Sequence, residues 1–166
     1  MNQPTFDRGR PDRLRRAMFK GPVRFYRGPL ATLLGNQCIL LVTTTGRKSG
    51  KPRTVGLGYM REGDSYFVVA GWGIRSDWYQ NVLANPAVTV QVGSRHFAAR
   101  AVPVADQERR KALTLRMETD PDHCVPPKPA RAILRATGVF DYDAEMRLAV
   151  QQAGEIPVVE LIPVKP

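Results

Sequence analysis

Residues Ile39–Tyr59 read ILLVTTTGRKSGKPRTVGLGY. An apolar run from Cys38 to Val42 leads into three threonines, then into a loop holding Gly46, Gly50 and Pro52, then into a second run of the same character. Branched residues suit a pleated, half-buried surface, while glycine and proline mark its interruptions, so the stretch predicts strand, loop, strand. The loop concentrates Arg47, Lys48, Lys51 and Arg53, with no acid among them in sequence, beside the hydroxyls of Thr45 and Ser49. Two readings stand side by side: a solvated basic hairpin tip, or an anion site. In the second, backbone N–H groups and charge-assisted bonds converge on a phosphate or carboxylate. A nucleotide P-loop is excluded by spacing, because Gly46 and Gly50 enclose three residues rather than four and Lys51 is followed by Pro52.

Outward from this stretch, the chain reads as an ordinary globule of 166 residues, 43% hydrophobic and 24% charged, long enough to bury its own core. No apolar run approaches the ~20 residues of a membrane span, and the N-terminus lacks the apolar centre of a secretory signal. Cys38 and Cys124 show no pairing pattern and are expected as reduced thiols in a cytoplasmic protein. The net charge of +10 is localised: residues 1–27 hold eight cations against Asp7 and Asp12, the loop adds its four, and the remainder balances at thirteen each. Two basic features, a head and a loop, do not resemble the spread of cations that tracks nucleic-acid phosphates, so no nucleic-acid partner is expected.

Pro4, Gly9 and Pro11 predict a loosely attached start, followed by a short basic helix from Asp12 to Lys20 that either packs on its own domain or lies on an anionic membrane. Residues 1–27 are therefore set apart from a single domain over 28–166. After an apolar turn at Leu30–Leu34 and the two strands, a third strand is expected over Tyr66–Ala70. A short helix ending at Asn85-Pro86 follows, with Ser76 or Asp77 as cap and Asp77–Gln80 at capping-box spacing. Val88, Val90 and Val92 alternate with polar residues as a strand does, and His96–Val104 pairs with it. A surface helix is expected over Asp106–Thr119, with Leu113 and Met117 inward and Arg109, Arg110 and Arg116 outward. Helical pieces at Ala130–Thr137 and Ala144–Ala153 and a final edge strand at Ile156–Val164 complete the chain. Sequential strands joined by turns predict a mainly β fold, a small antiparallel barrel with added helices.

Catalytic constellations are sparse. His96, His123 and the cysteines have no metal-ligand spacing, no serine sits on a nucleophile elbow, and Asp141 and Asp143 read as turn and cap residues. Trp72, Trp78 and Tyr79 cluster beside Gly71 and Gly73. They either fill a seam between helix and barrel or wall a flat heterocycle. A planar ring with an anionic tail is a redox cofactor, which would supply chemistry that the side chains lack.

The segments LLVTTTGRKSGKPRTVGLGY, GDSYFVVAG and SDWYQNVLANPAVTVQVG, in this order, resemble the deazaflavin-dependent nitroreductase family over residues 37–104, with a looser match at Ile156–Val164. The resemblance implies a split β-barrel related to flavin-binding pyridoxamine-phosphate oxidases. It also implies reduced coenzyme F-420 as hydride donor to a quinone, nitroaromatic or other electrophilic small-molecule acceptor. Carried over by position, Arg47, Lys48 and Ser49 would hold the cofactor phosphate. Arg53, Thr54, Val55, Gly56, Leu57 and Gly58 would run beside its ribityl chain and ring. Val69, Ala70, Gly71 and Trp72, with Asp77, Trp78, Tyr79, Gln80 and Asn81, would form the opposite wall, and Tyr79 or Ser49 would be the hydroxyl that supplies a proton. FMN in the same barrel, and a non-catalytic deazaflavin carrier, are the alternatives. The oligomeric state is not legible.

Overall fold

The computed structural model describes residues 3–9, 39–119, 128–138 and 141–165, together with Arg13, Ala17 and Val23, which are helical. The expected turn at Leu30–Leu34, most of the helix from Asp12, both cysteines and His123 lie outside the described residues. Six strands form the frame: β1 (Ile39–Thr45), β2 (Pro52–Glu62), β3 (Ser65–Val69), β4 (Ala87–Val92), β5 (Arg95–Pro103) and β6 (Val158–Pro163). The helices are α1 (Asp77–Ala84), α2 (Gln107–Thr119), α3 (Lys128–Ala136) and α4 (Tyr142–Gln151).

The strands close into an antiparallel barrel in the order β1-β2-β3-β6-β5-β4. Strands β1 and β2 form a hairpin in which Thr45 faces Pro52 and Ile39 faces Gly58; β1 meets β4 through Leu41–Gln91, Val42–Val90 and Thr43–Thr89. Because strand side chains alternate, Leu40, Val42, Val88, Val90, Ala99, Ala101, Val159 and Leu161 all point inward, and Tyr66, Val68 and Tyr79 join them in one buried cluster. A second, smaller cluster forms outside the barrel wall, where Leu113 and Met117 of α2 cover Met60, Phe67 and Val158. Leu113 and Met117 thus face inward as their spacing predicts.

Three expectations are corrected. The final strand is not an edge: β6 lies between β3 and β5, with Val159 opposite Val68 and Leu161 opposite Ala101. Its proline is tolerated because Pro163 is the last strand residue and the next donor, the Val164 N–H, bonds the Ala98 carbonyl at 2.9 Å. Second, Arg110 does not face outward. It has no exposed surface and donates to the carbonyls of Val104 (3.0 Å), Ala105 (2.6 Å) and Gly154 (2.9 Å). A guanidinium presents five donors in a planar fork, so a single side chain ties the β5–α2 connection to the segment entering β6.

Third, residues 3–9 are docked on the domain. The Phe6 N–H bonds the Glu155 carbonyl, the Ile74 N–H bonds the Phe6 carbonyl (2.9 Å), and the Arg8 N–H bonds the Trp72 carbonyl. The Arg8 guanidinium pairs with the Glu145 carboxylate on α4 and lies 4.7 Å from the centre of the Trp72 ring. Asp7 pairs with Arg75 at 2.7 Å. The close approach demands a glycine at position 73: its φ is +79°, and a Cβ there would lie 2.0 Å from the Phe6 carbonyl oxygen.

Two outcomes follow from these contacts. Arg110→Ala leaves three carbonyls without their donor and is expected to lower the unfolding free energy by about 2–4 kcal/mol, read from denaturant titration. Gly73→Ala is expected to release residues 3–9 while the barrel stays folded. Hydrogen exchange would then speed up at the Phe6 and Ile74 amides and stay slow at Val68 and Val90.

Candidate functional site

The β1–β2 loop leaves the barrel at the end covered by α1. Locally it is a tight turn: the Ser49 and Gly50 N–H groups bond the Gly46 carbonyl (3.1 and 2.7 Å), and the Gly46 N–H bonds the Lys51 carbonyl (2.9 Å). Gly50 takes a φ of +64°, which closes the turn. The Lys51 N–H reaches the Ser49 hydroxyl at 3.4 Å, so Ser49 is held within the loop.

The four loop cations divide into one that is engaged and three that are not. Arg47 turns toward α1, where its guanidinium donates to the Asp77 carboxylate (3.1 Å), the Asp77 carbonyl (3.2 Å) and the Asn81 Oδ1 (3.0 Å). Its backbone N–H also donates to the Asn81 Oδ1, at 3.1 Å. An acid absent from the local sequence is therefore supplied thirty residues later. Lys48, Lys51 and Arg53 are exposed and form no ion pair among the described residues. Three uncompensated cations around one short turn attract an anion strongly.

On β2, Val55 and Leu57 pack against the main core while Thr54, Gly56 and Gly58 sit on the alternate positions. The Thr54 and Thr43 hydroxyls bond each other at 2.8 Å. A Cβ at Gly56 would come within 3.2 Å of the Ile39 side chain, so the strand face there is kept low. Val69 packs with the outer cluster, and Ala70 is buried with its N–H bonded to the Pro157 carbonyl (2.9 Å). Both are packing residues. Gly71 is exposed, and Trp72 is half-buried against Arg8 rather than standing free.

In α1 the expected capping box does not form. The Ser76 hydroxyl is buried and makes no hydrogen bond within the described structure, and the Gln80 side chain instead donates to the Ile74 carbonyl at 2.7 Å. The helix ends as expected, with the Asn85 N–H on the Asn81 carbonyl just before Pro86. Trp78 packs edge-on to Tyr79, with ring centres 6.2 Å apart. Tyr79 is 4% exposed and part of the barrel core, which favours the seam-filling reading for this pair. Burial pushes the Tyr79 phenol above its ordinary 10.0, with the charge of Arg110 pulling the other way. A buried neutral phenol is poorly placed to hand a proton to an acceptor. Among the described residues no group of His, Cys, Asp and Glu could hold a metal. Asp141 does cap α4, accepting from the Ala144 N–H at 3.1 Å.

The structure thus brings Arg47, Asp77 and Asn81 together and places Lys48, Lys51 and Arg53 beside them. Sequence reading missed Thr44, whose hydroxyl joins this group, and the Arg8–Glu145 pair that backs Trp72. Glu145 lies 137 residues from Arg8, and no local pattern announces such a contact.

The model of the F420H(2)-dependent quinone reductase family matches residues 18–125. The F420H(2)-dependent quinone reductase Rv1261c of Mycobacterium tuberculosis is 48% identical over 68 residues, which is 39% of this chain and 46% of that protein. The chain thus spans about half the length of the curated relatives it matches. A solved F420-H2 dependent reductase (FDR-A) is 30% identical, covering 75% of this chain and 93% of that one, with a TM-score of 0.46. A protein from Listeria innocua named for pyridoxamine 5'-phosphate oxidase shares the fold at 14% identity and a TM-score of 0.50, over 82% of this chain and 90% of that one.

Tyr79 also generates a pH expectation. A phenol whose folded pKa is raised contributes stability that is whole below the unfolded value of 10.0 and is lost as pH climbs through the higher folded value. Tyr79→Phe should therefore flatten the alkaline limb of a stability-versus-pH curve while leaving the neutral region nearly unchanged.

Proposed function

Since the chain belongs to the F420H(2)-dependent quinone reductase family, we propose that it is an oxidoreductase that binds reduced coenzyme F420 and passes its hydride to a quinone. Nitroaromatic and other electrophilic acceptors of similar shape are the wider substrate class. The observation that carries this reading is the trio Lys48, Lys51 and Arg53 around the β1–β2 turn, exposed and without an ion pair among the described residues. Their chemistry fits a ligand whose tail ends in a phosphate and carboxylates, because ammonium and guanidinium groups form their strongest bonds with such oxyanions.

The residues divide the work as follows. Lys48, Lys51 and Arg53 would hold the anionic tail, while Arg47 is occupied in fastening the turn to α1. Gly56 and Gly58 keep the outer surface of β2 low where a planar ring would approach. Trp72, half-buried against Arg8, would be the aromatic of the opposite wall, while Trp78 and Tyr79 pack with the barrel core. Bound, the reduced deazaflavin supplies the hydride, so the protein needs no nucleophile or metal of its own. Its task is to orient the two reactants and exclude water. Ser49, exposed in the loop, is better placed than Tyr79 to sit beside a ligand proton. Contact between the basic N-terminal region and an anionic membrane is a separate, secondary proposal; no helix among the described residues is long and apolar enough to cross a bilayer.

The test is a tryptophan-quenching titration with the deazaflavin coenzyme and, separately, with FMN. Saturable quenching by the former alone is expected, whereas preference for FMN would move the protein to a flavin-dependent chemistry. Lys48→Ala should weaken deazaflavin binding by about 1–3 kcal/mol, the scale of a lost charge-assisted hydrogen bond. Unchanged affinity in that variant would remove the loop from the site. Binding without turnover of any quinone would leave a cofactor carrier.

A further inference from the structure

Asn81, 4% exposed, is a buried polar group beside the loop, on the face of α1 turned to the barrel. Its Oδ1 accepts both the backbone N–H (3.1 Å) and the guanidinium (3.0 Å) of Arg47. Its amide nitrogen donates to the Thr44 hydroxyl at 3.1 Å, and that hydroxyl donates to the Arg53 carbonyl at 3.3 Å. Thr44 is itself 1% exposed and sits opposite Arg53 in the hairpin register. One buried amide therefore reaches both arms of the hairpin: the turn at Arg47 directly, and the start of β2 at Arg53 through a single hydroxyl.

A primary amide is the side chain suited to this role. It offers an acceptor on one side and a donor on the other, without the charge that would be costly at 4% exposure. A leucine would fill the space and bond to neither arm. An aspartate would keep the acceptor and lose the donor. The Arg47–Asp77 contact adds a second, more exposed fastening from the same helix, with the Asp77 side chain 66% exposed, so Asn81 is the member that water cannot replace.

We propose that Asn81 is a positioning residue. Through Thr44 and Arg47 it holds the β1–β2 hairpin so that Lys48, Lys51 and Arg53 converge on one anion, and it touches no ligand itself. This rests on the reading of those three cations as the site for the cofactor's anionic tail. Arg47 is then part of the clamp and not part of the anion's own shell. An unclamped turn of this length would spread its three like charges apart, and each binding event would have to bring them back together.

The test compares two probes: the deazaflavin coenzyme, and the deazaflavin nucleoside that lacks the phosphate-bearing tail. For Asn81→Leu, affinity for the coenzyme should fall on the order of tenfold or more, while affinity for the tail-less nucleoside stays at the wild-type value. In the Lys48→Ala background the same change should cost clearly less than in the wild type, because only Lys51 and Arg53 are then left for the clamp to position. An equal loss for both probes, or a loss that adds fully to that of Lys48→Ala, would overturn the proposal by showing that Asn81 acts on the ligand or on the whole fold. No effect of Lys48→Ala on the coenzyme would sink the anion-site reading itself, and the positioning role with it. If Asn81→Leu does not fold, Thr44→Val cuts the link to Arg53 at nearly constant volume. It should give the same tail-selective loss, and loss with neither probe or with both would count against the proposal.

Discussion

Closure of the backbone ladder is the constraint on which the rest depends. Strand β1 bonds β2 on one side and β4 on the other, and β6 completes the ring between β3 and β5. A closed barrel leaves no unpaired edge, and it commits every inward position to one shared core. That core is filled from all six strands by small and branched side chains and by the aromatic group Tyr59, Tyr66 and Phe97. The ends of the barrel, where strands give way to turns, are then the places left for a site.

At one such end, α1 is both lid and anchor. Tyr79 and Val82 enter the core, so the helix cannot shift without breaking apolar packing. The same rigid helix presents Asn81 and Asp77 to the β1–β2 turn. A basic loop, which alone would be mobile and self-repelling, is thereby tied to the best-packed part of the molecule. Hydrophobic packing thus sets the position of polar groups that could not fix it themselves. At the second flank the N-terminal segment does comparable work, with Arg8 bridging α4 and Trp72.

Much of the barrel was legible in the residues. Alternation over Val88–Val92, glycine and proline at the turns, and branched residues in Ile39–Thr45 mark the strands within a residue or two of their observed bounds. The cationic turn was legible as a charge cluster, and the aromatic positions as a seam. Arg110 was not legible, because on a helical pattern an arginine beside Arg109 reads as solvent-facing. Its burial depends on carbonyls from Val104, Ala105 and Gly154, the last 44 residues away. The capping box at Asp77–Gln80 fits by spacing, yet Gln80 found a different acceptor in the turn at Ile74.

By itself, then, the sequence determined the period of each strand, the placement of turns, the concentration of positive charge and the family to which the chain belongs, since all of these are local in the chain. Tertiary structure alone decided which charges are spent and which are free. It made the final strand internal, buried Arg110, paired Arg47 with Asp77 and Asn81, and brought residues 3–9 against Trp72. The physical reason is that a charge or amide takes its role from the partner it meets, and here those partners arrive from distant parts of the chain that only barrel closure brings within hydrogen-bonding distance.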